Sequence, residues 1–200
     1  MRTNDRTEEQ ILVMRAQRGE QDAFRVLVER YQKLVYTLAL RMLNVPADAE
    51  DAAQEAFLSA WKALPRFRMD AKFSTWLYRL TVNAATDVLR RRRKEPDSLD
   101  DAERPVQAAD STDTPEEAAQ RAERRAMVRR AIGALSENHR QILLLREVTG
   151  LSYEEIGAAL ELSPGTVRSR LARARKELRE ELLAEGNYFD LPPSKGEKGR

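Results

Sequence analysis

Hydrophobic positions along the chain recur with the period of an α-helix. Within residues 21–43 the apolar side chains follow i, i+3, i+4, i+7 spacing, which predicts one long amphipathic helix that Asn44 and Pro46 bring to an end. No segment shows the sustained alternation of a half-buried strand. We therefore predict an all-α fold, whose first half also contains helices over residues 7–18, 48–64 and 73–94.

Helix-capping signals mark the second half. Residues 114–117, Thr-Pro-Glu-Glu, combine an N-cap, a proline at the first helical position and a capping-box glutamate, and predict a helix to about residue 135. Ser136 caps a following helix that reaches about residue 148. Residues 152–155 form a second capping box, and after a three-residue turn Pro164 opens a helix to about residue 185. A short helix, a turn and a longer helix are typical of a helix-turn-helix.

The helical pattern is interrupted by an acidic segment. Residues 95–120 contain three prolines, nine acidic side chains and no aromatic residue, a composition that cannot build a core. We predict that residues 95–114 are a flexible linker between two small helical domains, 1–94 and 115–185. Residues 186–200 are predicted to be a disordered tail.

Charge changes sign along the chain and indicates a polyanionic partner. The net charge of +2 divides into +6 for residues 1–94, −8 for residues 95–120 and +4 for residues 121–200. Arginine supplies 28 of the 35 basic side chains, and its planar guanidinium suits phosphates and base edges. Two basic units joined by an acidic strip are expected of a protein that binds nucleic acid with both units.

The composition of the chain excludes several classes of function. The chain has no cysteine and one histidine, His139, which excludes disulfides, thiol catalysis and multi-histidine metal sites. The longest aliphatic run, residues 142–145, is far too short to span a membrane, and the first residues lack the apolar core of a signal peptide. We expect a cytoplasmic protein that is not an enzyme and needs neither a metal nor a cofactor.

The last predicted helix has the surface of a DNA-reading helix. Its apolar stripe consists of Val167, Leu171, Ala174, Leu178 and Leu182. The opposite side carries Thr166, Ser169, Arg173 and Lys176, flanked by Arg168, Arg170, Arg175 and Arg179. Small polar groups near the helix N-terminus can reach base edges while the cations hold phosphates. The alternative is a solvated amphipathic helix of a small bundle.

Two further surfaces in the first half suggest binding. Between Arg66 and Arg79, cations alternate with aromatic residues, a composition that suits single-stranded nucleic acid. We predict a functional loop over residues 67–72, an interior position for Trp76, and for Asn83 either a base contact or a turn cap. In the helix 48–64, four side chains are expected to be exposed together, which fits either a protein-docking surface or a solvated flank: Asp51, Gln54, Glu55 and Leu58.

Both halves resemble the bacterial sigma-70 family of sigma factors. Residues 20–94, through ADAEDAAQEAFLSAWKAL and RFRMDAKFSTWLYRLTVNAATDVLRRR, are similar to the promoter-melting domain 2. Residues 120–185, through ALSENHRQILLLREVTGLSYEEIGAALELSPGTVRSRLARARKEL, are similar to domain 4. Because only these two domains and an acidic linker are present, the chain resembles the extracytoplasmic-function (ECF, group IV) sigma factors.

This resemblance implies a role for three sets of residues. The helix that binds core RNA polymerase would contain Asp51, Gln54, Glu55, Phe57, Leu58 and Trp61. The −10 promoter element would meet Phe67, Arg68, Asp70, Lys72, Phe73, Asn83, Asp87, Arg90 and Arg91. The −35 element would meet Arg168, Ser169, Arg170 and Arg173, to which the helical pattern adds Thr166 and Lys176.

The family also implies partners and a mechanism. The chain would bind core RNA polymerase, duplex −35 DNA and single-stranded −10 DNA, and so act as a dissociable transcription initiation factor. An anti-sigma factor would mask these surfaces and hold the chain at the membrane without insertion; the active form would be on the nucleoid. The sequence leaves two rival functions open: a dimeric repressor or activator that uses the helix-turn-helix alone, and an all-helical adaptor for another protein.

Overall fold

A computed structural model describes residues 2–94 and 114–184, and within these ranges every regular element is a helix. The helices are α1 (Arg2–Gln17), α2 (Gln21–Leu43), α3 (Pro46–Ala63), α4 (Phe73–Lys94), α5 (Pro115–Ala134), α6 (Glu137–Glu147), α7 (Tyr153–Leu160) and α8 (Pro164–Ala184). A 3₁₀ turn, Leu64–Arg66, follows α3. The all-α prediction is confirmed; the predicted linker and the tail 186–200 lie outside the described residues.

Helix boundaries follow the predicted local signals, with three corrections. Helix α1 begins at Arg2 and not at residue 7. Pro46 does not end α2 but begins α3, because its fixed φ suits the first helical turn; Asn44 alone terminates α2, in a left-handed conformation with φ 60°. Ser136 makes no side-chain cap, although both predicted capping boxes, at Thr114 and Ser152, are present.

Helices α1 to α4 form one bundle, called here the N-terminal bundle. Helix α3 packs against both α2 and α4, and α1 lies on α2. The α3 face toward its neighbours is made of alanines, all buried: Ala49, Ala52, Ala53, Ala56 and Ala60. Small side chains let the longer helices approach closely, so that Leu38 and Leu77 are completely buried between them.

Helices α5 to α8 form the C-terminal bundle, in which α8 contacts all three other helices. The apolar stripe of α8 packs inward, with Val167, Leu171 and Ala174 buried against residues such as Ile142 and Ile156. The two bundles also touch: α6 packs against α2 and α4, and α7 packs against α4. Their buried apolar residues form one continuous cluster.

Candidate nucleic-acid interfaces

The helix-turn-helix of the C-terminal bundle depends on a tight turn between α7 and α8. Glu161 ends α7 with φ 57°, and the N–H of Leu162 donates to the carbonyl of Gly157 at 2.9 Å. A Cβ atom on Gly157 would lie 2.6 Å from the carbonyl oxygen of Leu162, so that no larger residue fits without a backbone shift. Sequence patterns did not single out Gly157, because its requirement comes from the turn and not from helix periodicity.

The start of α8 is stabilised by its own polar side chains. The Ser163 hydroxyl accepts from the N–H of Thr166 at 3.2 Å and lies 2.9 Å from the Thr166 hydroxyl. Ser169 donates to the carbonyl of Thr166 at 3.1 Å. Thr166 and Ser169 carry the two hydroxyls that are predicted to read bases, and these bonds use part of their hydrogen-bonding capacity. The neighbouring Gly165 has no side chain to fill the space beside them.

The predicted −35 residues lie together on the outer side of α8. Arg168, Ser169, Arg173 and Lys176 are exposed, and Thr166 and Arg170 are half-buried at its edges. Two cations of this side are in ion pairs: Arg175 lies 2.9 Å from Glu147 of α6, and Lys176 lies 3.6 Å from Glu180 of its own helix. The cationic side of the helix therefore faces solvent and not the core, as a helix that enters a major groove requires.

Helices α6 and α8 are held together by a contact between two ionisable side chains. Glu177 of α8 accepts from the N–H of Ser136 at 3.2 Å and bonds to Nδ1 of His139. The hydrogen bond with His139 holds the pKa of Glu177 below its usual range, against the opposing effect of partial burial. The single histidine of the chain is thus a structural contact within the C-terminal bundle.

In the N-terminal bundle, the predicted loop over residues 67–72, called here the aromatic loop, borders a stacked pair of rings. Phe67 and Trp76 stack with centroids 4.7 Å apart and an interplanar angle of 23°. Trp76 packs against the core, in line with its predicted position, but it is only half-buried because it also lines a cavity at the surface. Phe73 is only 3 % exposed and packs under both rings, which leaves it no open face for DNA in this conformation.

Helix α1 holds the aromatic loop in place. The Gln17 side-chain amide donates to the carbonyl of Leu64 at 3.2 Å and to the carbonyl of Phe67 at 2.7 Å. The loop itself contains Met69 in the left-handed region with φ 56°, a conformation that a non-glycine residue adopts only where its surroundings impose it. Sequence reasoning missed Gln17, since its two partners lie 47 and 50 residues along the chain.

Helix α1 also contacts the aromatic residues beneath the loop, through Glu9. The Tyr31 hydroxyl donates to Glu9, and the Tyr31 ring lies 5.8 Å from Phe73 and 6.3 Å from Tyr78. Burial, with the nearby charge of Glu9, raises the pKa of Tyr78 to about 12. Both tyrosines stay neutral, and the bond that Tyr31 donates to Glu9 makes α1 a fixed part of the bundle that supports the loop.

The remaining predicted −10 residues lie on the surface of the N-terminal bundle. Arg68, Asp70 and Lys72 in the loop are exposed, as are Asn83, Asp87, Arg90 and Arg91 along α4. Beside the Phe67–Trp76 stack lies a cavity of about 400 Å³, which is lined by arginines of the loop region and is closed on one side by Ala158 and Ala159 of α7.

Several cations of this surface are paired with the C-terminal bundle. Lys72 Nζ lies 2.6 Å from Glu155, Arg79 lies 3.3 Å from Glu161, and Arg90 lies 3.7 Å from Glu137. Arg90 also approaches Asp87 of its own helix at 3.7 Å. The aromatic loop and α4 thus face acidic residues that are distant in sequence.

The predicted polymerase-binding residues of α3 form two sets, one exposed and one half-buried. Asp51, Gln54, Glu55 and Leu58 are exposed together, and Leu58 keeps 45 % of its surface free. Phe57 and Trp61 are half-buried, and Trp61 packs against Phe24 of α2 with ring centroids 4.9 Å apart. This apolar-acidic strip fits a protein partner better than DNA.

Comparison with known proteins decides the family. The sigma-70 region 2 model matches residues 27–95, and the sigma-70 region 4 model matches residues 125–178. The chain belongs to the sigma-70 family. The N-terminal bundle therefore contains region 2, with α1 outside the matched range, and the C-terminal bundle contains region 4.

Individual relatives show that the chain belongs to the ECF group of this family. Sigma-H factor of Pseudomonas aeruginosa is 42 % identical over 177 residues, which are 86 % of this chain and 92 % of that protein. ECF sigma-E factor of Escherichia coli K12 is 44 % identical over 177 residues, 85 % of this chain and 92 % of the relative.

Two solved structures share the fold. CnrH, in complex with the cytosolic domain of CnrY, is 30 % identical with a TM-score of 0.65, and the match covers 90 % of this chain and 99 % of CnrH. The sigma factor RpoE of Bartonella quintana, in complex with the anti-sigma factor NepR, has a TM-score of 0.62 at 23 % identity, over 82 % of this chain and 98 % of RpoE.

Residues 2–94 and 114–184 contain no helix long and apolar enough to cross a membrane. They also contain no cluster of three or more histidine, aspartate or glutamate side chains placed to hold a metal ion.

Proposed function

We propose that this sigma factor binds core RNA polymerase reversibly and directs it to promoters that carry a −35 and a −10 element. The observation that supports this most is the presence of two different nucleic-acid surfaces in one chain: a cationic recognition helix, α8, and an aromatic loop beside a basic helix, α4. A duplex-binding repressor needs only the first of these, and an adaptor needs neither.

The outer face of α8 reads the −35 element as duplex. Residues 166, 169 and 173 approach base edges in the major groove, and the flanking arginines bind phosphates. Phosphate contacts give affinity that falls with salt, whereas base contacts give sequence preference. We assign contacts with DNA phosphates to Arg168, Arg170 and Lys176.

The aromatic loop and α4 hold the −10 element as a single strand. An unpaired base enters beside the Phe67–Trp76 stack, where base–aromatic stacking compensates part of the cost of unstacking. Arg68 and Lys72 in the loop, with Arg90 and Arg91 on α4, follow the phosphates, while Asn83 offers an amide to a base edge. The chain thus favours strand opening by binding and not by covalent chemistry.

The exposed strip of α3 binds the polymerase. Leu58 supplies an apolar anchor, and Asp51, Gln54 and Glu55 supply polar contacts around it. We also propose control by an anti-sigma protein that covers these surfaces, as the family resemblance implies, and action in the cytoplasm where core polymerase and the nucleoid are found.

Reconstituted run-off transcription tests the proposal. Core polymerase with this chain should produce transcripts from defined genomic start sites that core polymerase alone does not produce. Leu58→Glu should abolish them while duplex −35 binding by the free chain is retained. Val26→Glu, at a similarly exposed apolar position on α2, is the matched control. A palindromic footprint from the chain alone, with no polymerase-dependent transcript, would favour the repressor.

A further inference from the structure

Exposed apolar side chains gather on the outer side of α1 and α2. Five large apolar side chains are exposed in the part of the chain that the structure describes, and three of them are Ile11 at 47 %, Met14 at 43 % and Val26 at 38 %. All three precede the range that matches sigma-70 region 2. The surfaces proposed for promoter DNA and core polymerase include none of them. These three residues, called here the α1–α2 patch, therefore point to a separate contact.

The packing of α1 against α2 brings the three residues to one side. Only a short turn joins the two helices, yet Glu8 near the start of α1 lies 3.6 Å from Arg30, in the third turn of α2. The helices therefore run antiparallel. One turn inward from this ion pair lie Ile11 on α1 and Val26 on α2, and Met14 follows Ile11 by one further turn on the same face. The patch is thus one surface and not three isolated side chains.

Ion pairs within the chain surround the patch. Besides the pair between α1 and α2, Arg15 lies 2.8 Å from Glu20, and Arg25 lies 3.1 Å from Asp22. Because these cations already face carboxylates, the patch suits a protein surface better than a DNA backbone. An apolar centre inside a polar rim is the usual arrangement of a contact between two proteins.

The exposed face of α1 is complementary to a second copy of itself. From its start to its end the face presents an acid, Glu8, then the apolar pair Ile11 and Met14, and then a cation, Arg18. These positions are three or four residues apart and share one side of the helix. In an antiparallel pair of α1 helices about a two-fold axis, Ile11 meets Met14 of the second copy. Glu8 then approaches Arg18 of the second copy at both ends of the contact.

We propose that the free chain forms a weak, two-fold symmetric dimer through the α1–α2 patch, with the two α1 helices antiparallel. The occupant of the patch is a second copy of this chain. Burial of the apolar side chains supplies the attraction, and the charges at the two ends of α1 set the register. Because each copy contributes only three large apolar side chains, the interface lies at the small end of specific contacts, and the dimer should form at micromolar or higher concentrations.

Sedimentation equilibrium of the full chain tests for the dimer. The average mass should rise from 22.9 kDa toward twice that value as the concentration increases from about 1 to about 300 μM. Ile11→Glu should remain a monomer over this range. The matched control is Leu183→Glu, which adds the same charge at a leucine of α8 that is also 47 % exposed, and it should behave as wild type. A wild-type mass that stays at 22.9 kDa throughout would overturn the proposal.

A mixing experiment tests the antiparallel register. Glu8→Arg alone, or Arg18→Glu alone, places like charges at both ends of the contact and should lower the association constant by roughly 3- to 10-fold. An equimolar mixture of the two variants should associate at least as strongly as wild type, because each end of a mixed dimer then joins an arginine to a glutamate. Both residues are exposed, and urea unfolding checks that each variant is folded. A mixture no more associated than its separate components would refute the register.

Transcription shows whether the patch is separate from the polymerase-binding strip. Run-off transcription by Ile11→Glu at saturating core polymerase should equal that of wild type, since the dimer and the proposed polymerase contact use different helices. A folded Ile11→Glu variant that binds core polymerase more weakly than wild type would instead assign the patch to the polymerase and contradict a self-contact. The absence of transcripts from wild type would refute the proposed function without bearing on the mass measurement.

Discussion

Helix α8 and the aromatic loop differ in how their shapes are fixed. The reading face of α8 follows from the sequence of that helix, because its apolar stripe packs inward and the cations then point outward. The aromatic loop has no such periodicity. Its geometry is set by Gln17 from α1 and by a ring stack with Trp76 from α4. A duplex groove can be read by a regular helix, whereas an unstacked base needs a surface assembled from several elements.

Because α8 and the aromatic loop are built separately, a substitution that disrupts one should leave DNA binding by the other intact. We expect the largest effect from a substitution at Gly157. Gly157→Ala places a Cβ 2.6 Å from the Leu162 carbonyl and should lower the free energy of unfolding of the C-terminal bundle by about 1–3 kcal/mol. Duplex −35 binding should be lost, and single-strand binding should be retained. Urea unfolding and anisotropy with both probes measure these effects.

Gly165→Ala is the control for that substitution. Its Cβ would meet nothing nearer than the Ser163 hydroxyl at 3.9 Å, and alanine favours a helix over glycine. We expect stability to be unchanged or raised by up to about 1 kcal/mol. Equal destabilisation by the two substitutions would show that the α7–α8 turn is less constrained than the structure indicates.

Base contacts and phosphate contacts on α8 should affect DNA binding in two different ways. Arg173→Ala should reduce −35 affinity by about 1–3 kcal/mol and relax sequence preference at one base pair, as expected for a base contact. Arg168→Ala should weaken binding to all sequences alike and reduce the slope of log affinity against log salt by about 1. Binding titrations over a panel of single-base variants, at several salt concentrations, separate these results. An identical pattern for both variants would refute the assignment.

The aromatic loop should respond to a change in α1 that leaves α8 unaffected. Gln17→Met keeps the length of the side chain but removes both donors to the loop carbonyls, which should weaken single-strand binding by about 1 kcal/mol. Duplex −35 affinity should not change. Gln32→Met, at an exposed glutamine of α2, is the control. If Gln17→Met leaves single-strand affinity unchanged, α1 does not position the loop.

The smallest expected effect is a pH dependence confined to the C-terminal bundle. The pKa of Glu177 is lower in the folded state, chiefly through its hydrogen bond with His139. Its stabilising contribution is therefore complete above the usual glutamate pKa and disappears as pH falls through the lowered value. Glu177→Gln should be less stable than wild type at neutral pH by under about 1 kcal/mol. Denaturation curves that remain separated at low pH would contradict this role.

Much of the fold was predictable because it is encoded over short distances. The end of α2 depends on Asn44, and the starts of α5 and α7 depend on capping boxes that involve residues three apart. The outward face of α8 and the exposed strip of α3 follow from helical periodicity in the same way. The start of α3 was misplaced because Pro46 is compatible with both a helix end and a first turn.

The sequence by itself determined the helices, their caps, the placement of cations on α8 and the resemblance to sigma factors, since each depends on neighbouring residues. Only the tertiary structure decided that Gln17 holds the aromatic loop, that Phe73 is buried beneath it, and that acidic residues of the C-terminal bundle pair with Lys72, Arg79 and Arg90. Those contacts join residues tens of positions apart. Helical period and composition carry no information about such pairs, because their proximity arises only when the bundles pack together.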